Sequence, residues 1–305
     1  MKRIADFKVL ILIFAAAMIG GGVPVFTKIA LVSLPPFPFT FLRFFIAFIC
    51  LIPIILWKKE EVNLHNFIKT LPVTLLGTLN VIVFAFGIQR TTASSAQMLY
   101  ALTPVIAGIM SYIILKEKFK LPKIIGILLG FVGAFIIILL PIINKGAGIS
   151  GANGNLIVFG AVSAYALYTV YSKMYQKNFS PIILMFYFTI AATITSLIFT
   201  VLDPNLPNLM HQRLSSAAIF DVLYVSIGGT ILFYLAIQYI IKHSTPTTAS
   251  TVSFLQPIFT IIWAVTLLNE NITAGFIIGA IITFLGVILV TFQHKLSRNT
   301  NAGIN

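Results

Sequence analysis

Apolar residues in this chain neither alternate with polar ones nor mark a single helical stripe. They run on for about 20 residues at a time and then give way to short polar joints, the pattern of helices that cross a bilayer. Ten such runs follow one another, at approximately 9–31, 37–57, 67–88, 93–115, 122–143, 154–175, 181–202, 216–241, 246–268 and 272–293. The joints are short apart from a Pro/Asn-rich connection from Asp203 to Arg213, and none has room for a soluble domain. The pattern predicts an all-α polytopic membrane protein with ten transmembrane helices. The opening residues, MKRIADFK before VLILIFAAAMIGGG, imitate a secretory signal. Their apolar character continues to about Leu34, long enough to span, so they are read as an uncleaved first helix.

Composition strengthens this reading. Of the 305 residues, 59% are hydrophobic and 9% charged, whereas a soluble domain carries about 25% charged residues. The net charge of +13 would suit nucleic acid, but the basic residues cluster in the joints, where they act as topology signals. With the N-terminus inside, 15 of the 20 Lys and Arg fall on the inner side. Lys28, Arg90, Lys145 and Arg213 fall outside, and Arg43 lies within a span. Both termini are therefore expected to face the cytoplasm, across a cell (plasma or inner) membrane. The single cysteine, Cys50, excludes an internal disulfide and a cysteine metal site.

The chain also repeats itself. LTPVIAGIMSYIILKE (Leu102 to Glu117) returns 153 residues later as LQPIFTIIWAVTLLNE, placing Pro104 on Pro257 and Glu117 on Glu270. Gly126, Phe131 and Gly133 fall on Gly279, Phe284 and Gly286. The first two helices of each half align at a shift of 145, with Lys28 on Lys173 and Pro36 on Pro181. The chain is thus expected to be two five-helix repeats, 1–145 and 146–305. An odd number of spans sends the second copy in from the opposite face, and such inverted repeats are an architecture of secondary transporters.

LKEKFKLPKIIGILLGFVGAFI and LNENITAGFIIGAIITFLGVIL both resemble the end of an EamA domain, with a Glu, a Gly nine residues on and another Gly seven further. TASSAQMLYALTPVIAGI and TPTTASTVSFLQPIFTII resemble its preceding helix. Two such domains are the ten-helix plan of the drug/metabolite transporter superfamily. The resemblance implies a metabolite exporter or exchanger, with a central cavity formed mainly by helices 1, 3, 4, 6, 8 and 9. It names no substrate.

Candidate cavity residues follow from helical faces. Gln97, Tyr100, Pro104 and Gly108 share one face of helix 4, and Ser250, Ser253, Pro257 and Ile261 the matching face of helix 9, beside Gln256. Pro104 and Pro257 are expected to kink these helices. Tyr165, Tyr168 and Ser172 share a face of helix 6, Asn80 and Phe84 one of helix 3, Tyr234 and Gln238 one of helix 8. Together they imply an aromatic, amide-rich pocket without strong charge. An intramembrane arginine costs at least about 2.5 kcal/mol unless it meets protein or water. Arg43 therefore either snorkels from the outer end of helix 2 or recognises an anionic group. Its counterpart in the second half is Phe188. Asp221 reads as an N-terminal residue of helix 8 or a proton carrier. Glu117 and Glu270 suit the N-terminal ends of helices 5 and 10. Gly126, Gly130 and Gly133 form a small-residue ridge, and Gly20 to Gly22 could permit a bend.

No metal, nucleophile-elbow or phosphate-loop motif occurs, and the four histidines lie at loops or span ends. No cofactor is implied, and transport would run on a gradient or exchange. The expected function is a secondary active transporter exporting or exchanging an amino acid or related metabolite. A flippase for a lipid-linked sugar and a membrane-embedded lipid-modifying enzyme are the alternatives. The expected partners are a small-molecule substrate and membrane lipid, without nucleic acid, for a monomer or homodimer.

Overall fold

A computed structural model describes residues 2–115, 121–143, 148–204, 214–243 and 246–301. Ten rods result: α1 (Lys2–Ser33), α2 (Pro36–Lys58), α3 (Leu64–Ile88), α4 in two segments (Ala93–Tyr100 and Thr103–Leu115), α5 (Leu121–Ile143), α6 (Gly148–Tyr175) and α7 (Pro181–Val201). They continue with α8 in three segments (Ser216–Leu223, the π-helical Tyr224–Leu232 and Phe233–His243), α9 (Pro246–Leu268) and α10 (Ala274–Asn301). Among the described residues there is no strand. Eight rods hold described apolar stretches long enough to cross a membrane, and α9 and α10 add the shorter stretches Leu255–Leu268 and Ala274–Leu289. In a bilayer every backbone group must be paired within the protein, which helices achieve by themselves.

The packing has two-fold character. α5 packs on α10 and α2 on α7, each a helix against its own counterpart. The α3–α6 contact has its mate in α8–α1, α4–α6 in α9–α1, and α3–α7 in α8–α2. The glycine ridge forms the α5–α10 seam. A Cβ on Gly133 would lie 2.5 Å from the Thr283 nitrogen, and one on Gly286 would lie 2.4 Å from the Gly130 nitrogen. Backbone meets backbone here, so only glycine lets the helices come this close. Gly20, Gly21 and Gly22 lie in a continuous α1, where added Cβ atoms would strike Gln256, Phe259 and Tyr224. Close approach of α8 and α9 is the requirement they meet in this structure.

Two irregularities shape the centre. α4 breaks before Pro104, which has no N–H to give the Tyr100 carbonyl. Thr103 Oγ1 donates to that carbonyl instead, at 2.6 Å. α9 runs unbroken through Pro257. In α8 the helix widens by one residue per turn around Gly228 and Gly229, and Thr230 Oγ1 donates to the Val225 carbonyl at 2.9 Å. Such π-helical turns recur at functional sites.

Candidate functional site

A cavity of about 410 Å³ lies between the two halves, within the size range of small-molecule sites. Asn80, Phe84, Gln97, Tyr100, Tyr165, Tyr168, Tyr234 and Gln256 all line it, as do Pro104 and Arg43. The cavity therefore draws together residues that the helical faces singled out on six separate segments. The side chains of Gln238 and Ser253 lie outside the described residues. Pro257 is buried without reaching the wall, and its neighbour Gln256 takes that place.

Asn80 is used structurally as well. Its amide nitrogen donates to Tyr100 Oη and, at 2.8 Å, to the Ala161 carbonyl, so it joins α3 to α4 and α6. Tyr234 Oη donates to the Pro181 carbonyl at 3.2 Å and ties α8 to the start of α7. The aromatic rings form one chain through the wall: Phe44 to Phe188 at 5.1 Å, Phe188 to Tyr168 at 5.7 Å and Tyr168 to Tyr165 at 6.0 Å. It continues from Tyr165 to Tyr100 at 5.9 Å and from Tyr100 to Phe84 at 5.3 Å. These separations are those of interacting rings.

The expectation of a pocket without strong charge is corrected by Arg43. Its Nε donates to Thr230 Oγ1 at 3.1 Å, and its guanidinium carbon lies 5.1 Å from the Phe44 ring centre. Folding against Thr230 and Phe44 holds the side chain in the protein interior instead of letting it reach along the helix to the interface. α2 and α7 consequently contribute to the wall through Arg43, Phe44, Met185 and Phe188, beyond the six helices expected. Thr103, Thr169, Thr230 and Phe233 are further wall residues that the helical faces did not indicate. The repeat shifts lead from two of the candidate positions to two of these residues, and a third pair matches within the wall itself. Asn80 maps to Phe233, Gln256 maps back to Thr103, and Thr169 maps to Pro24, itself in the wall.

Asp221 does not line the cavity. It lies beyond the first turn of α8, buried, and its Oδ2 has no hydrogen-bond partner among the described residues. Glu117 lies outside the described residues. Glu270 caps a helix, but α4 in place of α10: its Oε1 accepts from the Ala93 N–H at 2.6 Å and its Oε2 from the Ser94 N–H at 3.1 Å. The reason is local. Thr273 Oγ1 already accepts from Phe276 N–H at the start of α10, and Thr92 caps α4 only at Ser95. Two donors at the start of α4 were thus left for a carboxylate. Beside them Lys28 Nζ donates to the Thr91 carbonyl, and Thr91 Oγ1 donates to Asn155 Oδ1. α1, α4, α6 and the α9–α10 turn are clasped together at this face, one helical turn from Gln97.

Among the described residues no group of three His, Cys, Asp or Glu is placed to hold a metal ion. The chain is similar over almost its full length to known proteins. The uncharacterized transporter YvbV of Bacillus subtilis (strain 168) is 25% identical over 304 residues, 97% of this chain and 95% of that protein. An uncharacterized transporter in the sor 3'region of Acidianus ambivalens is 30% identical, over 86% of this chain and 96% of its own. A solved structure described only as a crystal structure of protein superposes with a TM-score of 0.61 at 16% identity, covering 94% of this chain and 97% of its own, a likeness of fold. The model of the EamA-like transporter family matches twice, at residues 7–139 and 152–292. Two family matches in tandem, on a chain whose paired helices enclose one cavity, make this protein a member of the EamA-like transporter family.

Proposed function

We propose that the protein is a secondary active transporter of the cell membrane that exports or exchanges a small organic metabolite, an amino acid or related compound, by alternating access. The observation that carries the reading is a cavity walled by matched positions of both repeats. Two inverted copies of one unit can exchange their slightly different shapes, opening the cavity to one side and then the other. The charge bias of the joints supports cytoplasmic termini, which puts the Glu270 clasp on the outer face. A clasp that closes this face would leave the inner face as the side from which cargo enters. Membership in a family of transporters, and relatives that carry that name, support transport over lipid chemistry.

The test is counterflow in proteoliposomes across a panel of amino acids and related acids. Saturable exchange that requires a sealed vesicle is expected. Gln97→Ala, Tyr100→Phe and Tyr168→Ala should each reduce it severalfold with the amount of protein in the membrane unchanged. Turnover of a lipid in detergent, with no compartment, would replace transport by catalysis. Wild-type flux in all three variants would remove the cavity from the pathway.

A further inference from the structure

The cavity wall is polarised in a way that selects a chemical class. Among its described residues Arg43 is the one charged side chain, and no carboxylate faces it. Its Nε is taken by Thr230, while neither terminal guanidinium nitrogen has a hydrogen-bond partner among the described residues. Four N–H donors of a planar cation thus stand without an acceptor among the described residues, in a membrane interior where an unpaired charge is costly. Two parallel donors of this kind match the two oxygens of a carboxylate.

The neutral part of the wall is just as directed. The chain of rings from Phe44 through Phe188, Tyr168 and Tyr165 to Tyr100 begins against the guanidinium and follows the cavity wall, with Tyr100 again within electrostatic reach of Arg43. Successive rings are turned by 71°, 40°, 22° and 49° against one another, so they offer a stepped aromatic surface that carries hydroxyls on its three tyrosines. The repeat shows that the charge is not shared by the related positions. The counterpart of Arg43 and Thr230 is Phe188 and Gly77, and a Cβ on Gly77 would lie 2.9 Å from the Phe188 ring. Of the two related pairs of positions, one holds a cation and a hydroxyl and the other a ring against a bare backbone.

We propose that the cavity takes an amphipathic organic monoanion, its single carboxylate held by Arg43 and its aromatic or apolar body laid along the ring chain. An ammonium group is disfavoured, because it would meet no carboxylate among the described wall residues and would lie near the guanidinium. The proposal rests on the transporter reading and narrows its cargo from amino acids to acids that lack a free amine.

Four matched probes separate the charges: 3-phenylpropionate, phenylalanine, phenethylamine and 3-phenylpropan-1-ol. Binding is measured by calorimetry on the purified full chain in detergent, and flux of labelled 3-phenylpropionate in proteoliposomes against protein-free vesicles. The anion is expected to bind at least about tenfold more tightly than the other three. Arg43→Gln should erase that preference, and Thr230→Val, the milder change, should reduce it while the protein stays monodisperse. Equal or tighter binding of phenylalanine or the amine, no binding of any probe, or an undiminished preference in both variants would overturn the proposal. Binding and flux are independent readouts. Anion binding without saturable flux would leave the ligand class standing and defeat transport; saturable flux of phenylalanine instead would do the reverse.

Discussion

Matched positions of the two halves face the same cavity and are filled by different side chains. Gly20, Val23 and Pro24 of α1 correspond to Tyr165, Tyr168 and Thr169 of α6; Gly77, Asn80 and Val81 of α3 correspond to Thr230, Phe233 and Tyr234 of α8. In both pairs the second half supplies the bulk, whereas across α2 and α7 the charge belongs to the first half. At the α5–α10 seam Gly126 and Gly133 are matched by Gly279 and Gly286, and Thr283 alone stands where the first half has a glycine, Gly130. The contrast assigns the constraints. Where two copies must interlock, backbone geometry demands the same residue in each. Where they face a common space, only the volume and chemistry of the combined wall matter, and the copies are free to diverge.

Equivalence at the seam is the part that mutation can break most severely. An alanine at 286 would bring its Cβ to 2.4 Å from the Gly130 nitrogen and 2.6 Å from the Gly126 oxygen. At 133 the distances are 2.5 Å to the Thr283 nitrogen and 2.7 Å to the Gly279 oxygen. Backbone cannot rotate away, so each substitution forces the helices apart at about 1–3 kcal/mol. Gly133→Ala and Gly286→Ala should lower the unfolding midpoint in mixed micelles by similar amounts. A loss in only one would mean that the seam is not used symmetrically.

Next in size comes the clasp. Glu270→Gln keeps the shape and one acceptor but removes the negative charge from the start of α4, a loss of about 1 kcal/mol. In a Cys50→Ser background with a cysteine at Gln97, one turn deeper, labelling by an impermeant thiol reagent should become faster from the Glu270 face. An unchanged rate would show that the clasp stabilises α4 without controlling access.

The ten rods and the glycine seam were legible because both are written as local periodicity, apolar runs and small residues seven apart. Much of the cavity was legible too, since polar residues on a helix otherwise facing lipid must turn inward. Arg43 was ambiguous for a reason of geometry. Position along α2 allows either a reach to the interface or a turn inward, and the choice is made by Thr230, 187 residues away. The target of Glu270 was illegible on the same ground: the donors it serves, Ala93 and Ser94, lie across the molecule, and nothing in the α9–α10 turn names them. The π-helical stretch of α8 has only Gly228–Gly229 as a local sign, because its widened register depends on what packs around it.

The smallest expected effect bears on why one proline breaks its helix while its twin does not. Thr103 and Gln256 precede Pro104 and Pro257 at matched positions, and both line the cavity. Thr103 spends its hydroxyl on the Tyr100 carbonyl that Pro104 leaves free, which satisfies the broken turn from within. Gln256 is too long to fold back in that way, and its amide extends toward α1, where a Cβ on Gly20 would meet it. Thr103→Val preserves shape and removes only the donor, so stability should fall by about 0.5 kcal/mol, the low end for a hydrogen bond. Gln256→Leu should leave stability within error and act on ligand binding alone. The two variants, measured together by thermal unfolding and by calorimetry with the same probe, separate a residue that completes its helix from one that completes the cavity. If Thr103→Val is silent in unfolding, the break in α4 is held by its neighbours and not by its own hydroxyl.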